Sequence, residues 1–179
     1  MNLQPSTHSR HLPVMLMESL ENLNIKNSGI YVDGTLGLGG HSEEILKKID
    51  TGLLLGIDRD IESIELANKR LSKYKNYKLF NDSYQNLKNI LFELDIKGVD
   101  GILLDLGLSS FQLEDNQRGF SHKHNSELDM RFDKSIEGNR ADNIVKKYDL
   151  KSLTKIFRDF GEERNAYRIA KMIKESNSD

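Results

Sequence analysis

The chain has 179 residues, 37% of them hydrophobic and 30% charged, with a formal net charge of −2; this suits one ordinary domain with a small appendage and argues against a uniformly polybasic surface. It has no cysteine, so disulfides, thiolate metal ligands and cysteine nucleophiles are excluded. No apolar run approaches the roughly 18 residues of a membrane span, and residues 1–16, MNLQPSTHSRHLPVML, lack a secretory core; the expected address is the cytoplasm, away from membranes.

Four stretches read as buried strands, each short, apolar and bounded by glycine or aspartate: GIYVD (29–33), GLLLGID (52–58), YKLFND (77–82) and GVDGILLDLG (98–107). Helical periodicity falls between them. Residues 41–49 align Ile45, Leu46 and Ile49; residues 61–71 align Ile61, Ile64, Ala67 and Leu71; residues 84–94 align Leu87, Ile90, Leu91 and Leu94. Alternating strands and helices with continuous apolar strands predict an α/β fold, a doubly wound parallel sheet covered on both faces. Ligands of such sheets bind at the strands' carboxyl ends, and Asp33, Asp58, Asp82 and Asp105 all fall there.

After Phe111 the sequence turns polar, and a loop is expected through Arg140, followed by helices at 141–148, 150–160 and 162–176. The expected organisation is a sheet domain over 1–112 and a loop with a helical insert over 113–179. Between Arg140 and Lys174 there are ten Lys/Arg and five Asp/Glu, leaving −7 for the remainder of the chain. Such a segment suits either a solvated Lys-rich helix face or a nucleic-acid backbone contact.

The loop after the first strand, DGTLGLGGHS, carries Gly34, Gly37, Gly39 and Gly40. A dinucleotide fingerprint begun at Gly37 reaches Ser42 where its last glycine should be, and no Gly-Lys-Ser/Thr ending marks a phosphate loop. What remains is a glycine turn that brings backbone close to a ligand, with Asp33 as an acceptor for an ammonium group. S-adenosylmethionine offers that ammonium. Asp58 stands 18 residues after Gly40, where an acidic residue accepts from ribose hydroxyls; the alternative is an N-cap for the helix that follows.

Several motifs, in order, carry a more specific likeness: HLPVML (11–16), YVDGTLGLGGHS (31–42), GIDRD (56–60), DGILLDLGLSSFQL (100–113), RGFS (118–121), LDMR (128–131) and FGEER (160–164). Together they resemble the bacterial small-subunit (16S) ribosomal RNA methyltransferases that methylate N4 of a decoding-centre cytidine. The likeness runs from about residue 11 to residue 173. It implies a Rossmann-like class I methyltransferase fold using S-adenosylmethionine, with the small ribosomal subunit as partner. It also implies that Gly39, Gly40 and His41 line the methionine end, Asp58 the ribose and Tyr84 the adenine, with Asp105 and Gln112 completing the site. On the residues alone, Tyr84 reads as a packing residue opening its helix and His41 as a satisfied helix-start histidine.

A cytosine amine is a weak nucleophile because its lone pair is delocalised into the ring, so an acceptor beside its N–H bonds is needed. Asp105 in DLGLSS is the candidate, with Ser109 and Ser110 either helping or capping a turn. Phe111 and Phe120 are candidates for packing against an extruded base, or for local core. Arg118, Arg131, Arg164 and Arg168 are candidate phosphate contacts. His122 and His124 form too weak a pattern for a metal site, and none is expected. A sheet of this type has about seven strands, of which four are legible, so a fold that is incomplete is expected. A remnant that binds cofactor or RNA without transferring methyl, and a nucleotide-cofactor oxidoreductase, are the alternatives.

Overall fold

The computed structural model describes residues 14–123, 125–134, 138 and 140–176. The expectations on residues 11–13 and on His124 lie outside the described residues. The chain forms two compact units, Met1–Gly107 and Leu108–Asp179.

In the first unit four strands form one parallel sheet: β1 (Ile30–Asp33), β2 (Leu53–Asp58), β3 (Tyr77–Asn81) and β4 (Gly101–Leu103), in the order β3-β2-β1-β4. Strand alternation explains why both faces are covered. Tyr31 and its register partner Leu54 face one side, with α1 (Leu16–Asn22), α2 (Gly40–Leu46) and α3 (Ile61–Leu71); Leu20, Ile45, Leu46, Ala67 and Leu71 are buried there. Val32 and Leu55, also in register, face the other side with Ile57, and α4 (Leu87–Glu93) contributes Ile90. The chain steps outward from β1 to β3, then returns to place β4 on the other side of β1. That reversal is the topological switch point, and it makes the sheet doubly wound.

Helix starts follow local chemistry. Asp60 caps α3, its carboxylate accepting from Glu62 N at 3.1 Å and from Ser63 Oγ at 3.2 Å. On α2, Glu43 accepts from Arg70 at 2.8 Å and Lys73 at 2.7 Å, which holds its carboxyl down at about 2, the Lys73 hydrogen bond acting most strongly. The stretch expected as one helix from residue 84 begins instead with a single 3-10 turn, Tyr84–Asn86, where Ser83 Oγ accepts from Gln85 N and Asp82 Oδ1 accepts from Ser83 N and the Asn86 side-chain amide.

Besides α2, which ends at Leu46 rather than Ile49, two elements differ from expectation in extent. β4 stops at Leu103 because its next backbone groups leave the ladder for the glycine loop: Leu103 O accepts from Gly34 N at 2.9 Å, and Asp105 N donates to Thr35 Oγ1 at 2.7 Å. α8 (Ala166–Ser176) starts four residues late, since Glu162 is left-handed and the Glu163 carboxylate turns back to Asn165 N at 2.6 Å.

The second unit contains α5 (Ser110–Glu114), α6 (Ala141–Lys147), α7 (Leu150–Asp159) and α8. α7 and α8 pack as a hairpin that buries Leu153, Ala166 and Ala170, and Lys174 Nζ donates to Lys146 O at 2.9 Å at the end of α6. The polar loop is irregular but pinned. Met130 N donates to Arg118 O at 2.9 Å, which brings LDMR against RGFS, while Ala141 N and Asp142 N donate to Asp129 O and Leu128 O, each at 2.8 Å. Gly119 is left-handed and lies against Glu127 O, leaving no room for a side chain.

Candidate functional site

The glycine loop leaves the carboxyl end of β1 beside the switch point. Gly37 and Gly39 are both left-handed, at φ 49° and 75°. A Cβ built on Gly34 would stand 2.6 Å from Leu104 Cδ2 and 3.1 Å from Tyr84 Cβ, so the backbone at the loop's entrance is pressed between those two residues. Tyr84 is 38% exposed there, at the carboxyl edge of β3.

Asp33 is buried at the end of β1. Its Oδ2 accepts from Ser42 Oγ at 2.7 Å and its Oδ1 from Thr35 N at 3.3 Å, so the carboxylate staples the loop's two arms together, a correction to its expected part as an ammonium acceptor, since it is 1% exposed with both oxygens engaged. Burial raises the Asp33 carboxyl above its ordinary value, opposed by the Ser42 and Thr35 hydrogen bonds and by His41, and assisted by Asp58. His41 is itself buried, and its Nε2 has no hydrogen-bond partner among the described residues. A buried ring nitrogen without a partner costs free energy unless something supplies one. The reading of His41 as a satisfied helix-start residue is thereby revised.

Asp58 ends β2 and bridges two loops: Oδ2 accepts from Gly37 N at 2.8 Å and Oδ1 from Asp60 N at 2.9 Å. The N-cap of α3 is Asp60, so the capping alternative for Asp58 does not hold. The Arg59 N–H also acts on this carboxylate, which still keeps acceptor capacity for a ligand. Burial raises this carboxyl also, against the Asp60 and Gly37 N–H groups. Asp105 is held differently. Its backbone is tied to Thr35, while its exposed carboxylate makes no hydrogen bond or ion pair among the described residues. Asp82, the fourth strand-end carboxylate, binds Ser83 N at 2.6 Å and Asn86 Nδ2 at 2.7 Å and closes its own turn.

In the second unit, Ser109 and Gln112 form a capping box on α5: Ser109 Oγ accepts from Gln112 N and Gln112 Oε1 accepts from Ser109 N, both at 3.2 Å. Ser110 is the first residue of that helix and Gln112 is buried. Arg118 requires a correction. It is 1% exposed, with Nε on Asp115 Oδ2 at 2.9 Å, Nη1 on Phe132 O at 3.4 Å and its guanidinium 5.9 Å from the Phe111 ring centre. So enclosed a guanidinium builds the loop and is not offered to a phosphate. Phe120 packs on Phe132 with centroids 5.6 Å apart. Arg131 is held by Asp129 through Nε at 2.6 Å and Nη2 at 2.9 Å, whereas Arg164 and Arg168 are exposed. Thr35 and Ser42 were not expected at the site. Short hydroxyl residues flanking a glycine turn were the available signal.

The buried Asp33 carboxyl yields a pH prediction. Between the unfolded value of 3.8 and its raised folded value, the folded state binds more protons, so stability falls as pH rises through that window. Asp33→Asn keeps an acceptor for Thr35 N, and the Ser42 hydroxyl can rotate to accept from the new amide. The variant is expected to lack this acid-range slope and to melt about 2–4 °C higher at pH 7, for a gain of ~1 kcal/mol. Thermal melts from pH 3.5 to 7 check it; a lower melting temperature throughout would contradict it.

A parallel sheet that reverses order between β1 and β4, with a glycine turn and carboxylates in the crevice there, belongs to the nucleotide-cofactor class of doubly wound folds. Residues 8–179 match the MraW methylase family, and the chain belongs to that family. It is 51% identical over 164 residues to the ribosomal RNA small subunit methyltransferase H of Halothermothrix orenii, covering 91% of this chain and 52% of that protein. It is 49% identical over 164 residues to ribosomal RNA small subunit methyltransferase H 1 of Acholeplasma laidlawii, covering 92% and 54% respectively. The protein of the first name from Caldicellulosiruptor bescii is 47% identical over 169 residues, covering 94% and 55%. The chain spans about half the length of these curated relatives.

Proposed function

We propose that this chain holds S-adenosylmethionine at the switch point and belongs to an enzyme that methylates N4 of a cytidine in the decoding region of small-subunit (16S) ribosomal RNA. The observation that supports it best is the convergence of Asp58, the left-handed glycines and an unpartnered, buried His41 nitrogen at one crevice. These residues fit the cofactor: Gly39, Gly40 and His41 face its amino-acid end, with Asp33 fixing the loop behind them. Asp58 accepts from the ribose hydroxyls, and Tyr84 offers an aromatic face to the adenine. Bound there, S-adenosylmethionine supplies an electrophilic methyl group on a cationic sulfur.

This chain's own residues orient the amine. Thr35 holds the Asp105 backbone and leaves its carboxylate free to accept from the cytosine N4–H, which favours a pyramidal nitrogen. The nitrogen gains methyl and releases one proton to water, so no dedicated base is required. In the second unit Ser109 Oγ is spent on the α5 cap; Ser110 as a hydroxyl helper and Gln112 as a cofactor residue are carried by the likeness to the family. Arg131, Arg164 and Arg168 supply positive charge for the RNA backbone.

One observation favours a second reading, binding without transfer. Among the described residues β4 pairs only with β1, and Ile102, Leu104 and Leu106 beside its outer edge are exposed. The test supplies tritiated-methyl S-adenosylmethionine and unmodified small ribosomal particles, then identifies the labelled nucleoside. Label in N4-methylcytidine is expected. Saturable cofactor binding with no label in RNA would replace the first reading with the second.

A further inference from the structure

A second basic region stands apart from the crevice. Residues 68–78, NKRLSKYKNYK, contain five Lys/Arg and no Asp/Glu in a chain of net charge −2. They run from the last turns of α3 into the start of β3, at the end of the sheet opposite the glycine loop. Arg70 and Lys73 are committed to Glu43. Lys69, Lys75 and Lys78 are exposed, with no ion pair among the described residues. Between α3 and β3 lies a groove of about 560 Å³, with Ile64 and Leu79 as apolar lining, Tyr74 and Tyr77 as aromatic lining, and Lys75 and Lys78 beside them; Glu65 is its one carboxylate. The Tyr77 hydroxyl is fixed on Asn68 Oδ1 at 2.9 Å, and Lys73 Nζ stands 5.1 Å from the Tyr74 ring centre.

We infer that this groove is a second RNA-contact surface: a single strand lays phosphates on Lys69, Lys75 and Lys78 while a base packs against Tyr74 or Tyr77. The inference extends the proposed function, on which it rests for the identity of the polyanion. Uncompensated lysines supply the charge complementarity, and tyrosines interleaved with them supply stacking that is tolerant of base identity. An acidic peptide would use the lysines but gain little from the rings. The volume falls within the range of small-ligand sites, enough for a base with its sugar.

The test follows binding of a labelled 15-nucleotide single-stranded RNA by fluorescence anisotropy across a salt series, for the full chain and for K69Q/K75Q/K78Q. The expected result is binding at least about tenfold weaker at 100 mM salt, with the slope of log affinity against log salt reduced by about 2, near 0.7 for each of three phosphates lost. Ultraviolet cross-linking should label Tyr74 or Tyr77. Unchanged affinity and slope, cross-links confined to residues 141–176, or displacement by polyglutamate as readily as by RNA of equal charge would each overturn it. S-adenosylmethionine titration of both chains runs alongside. Equal cofactor binding by the two isolates the RNA surface. Loss of cofactor binding in both would sink the proposed function and leave the RNA measurement to decide this surface.

Discussion

Asp58→Ala is expected to weaken S-adenosylmethionine binding about a hundredfold, a loss of ~3 kcal/mol, while shifting the melting temperature by only a few degrees. Two effects on binding add. The ribose loses a charged acceptor, and the Gly37 N–H that Asp58 holds at 2.8 Å is freed, so the left-handed turn at Gly37 loses its tie to β2. The effects on stability oppose one another. Orphaning the Gly37 and Asp60 N–H groups costs, whereas removing a carboxylate whose ionised form burial disfavours gains. Asp58→Asn should fall between, near a tenfold loss, because one of its two acceptor oxygens becomes a donor facing N–H groups. Isothermal titration with parallel thermal melts gives both quantities. A variant that binds as tightly as the parent would remove Asp58 from the site.

Arg118→Met should destabilise the second unit by about 2–4 kcal/mol, since it leaves the Asp115 carboxylate and the Phe132 carbonyl without their buried partner and removes the cation from the Phe111 ring. Arg118→Lys should recover less than half of that loss, because an ammonium lacks the planar fork that serves two acceptors. Hydrogen exchange localises the effect. Protection should fall in residues 110–132 and persist in β1 and β2, whose core is separate. Intact protection in 110–132, with weaker RNA binding, would return Arg118 to the phosphate contacts.

β1 and β2 were legible because each carries its burial in its own residues: a run such as LLLGID needs both faces covered wherever it lies. β3, with no buried residue, was the weaker signal. α3 was legible to the residue from its apolar spacing, although the cap offered for it was Asp58 and the observed one is Asp60. α1 was not, since it starts from Met15 in a left-handed conformation with no side-chain cap. α5 was not expected: Ser109 and Ser110 were read as helping the chemistry or capping a turn, and only geometry shows Ser109 spent on a helix cap. At the site, the carboxylates were visible at strand ends, yet their tasks were not. Asp58 and Asp60 lie two residues apart in similar surroundings, and which one caps depends on where β2 ends. The burial of Arg118 was hidden for a related reason: an arginine in a polar run reads as surface until Met130 and Phe132 fold back against it.

The central claim is that this four-stranded sheet holds S-adenosylmethionine at the β1–β4 switch point. Calorimetric titration of the 179-residue chain with S-adenosylmethionine, and separately with NAD, tests it most directly. Saturable one-to-one binding of S-adenosylmethionine, with no heat from NAD, is the predicted result. A folded chain that binds neither, or that binds NAD in preference, would contradict it.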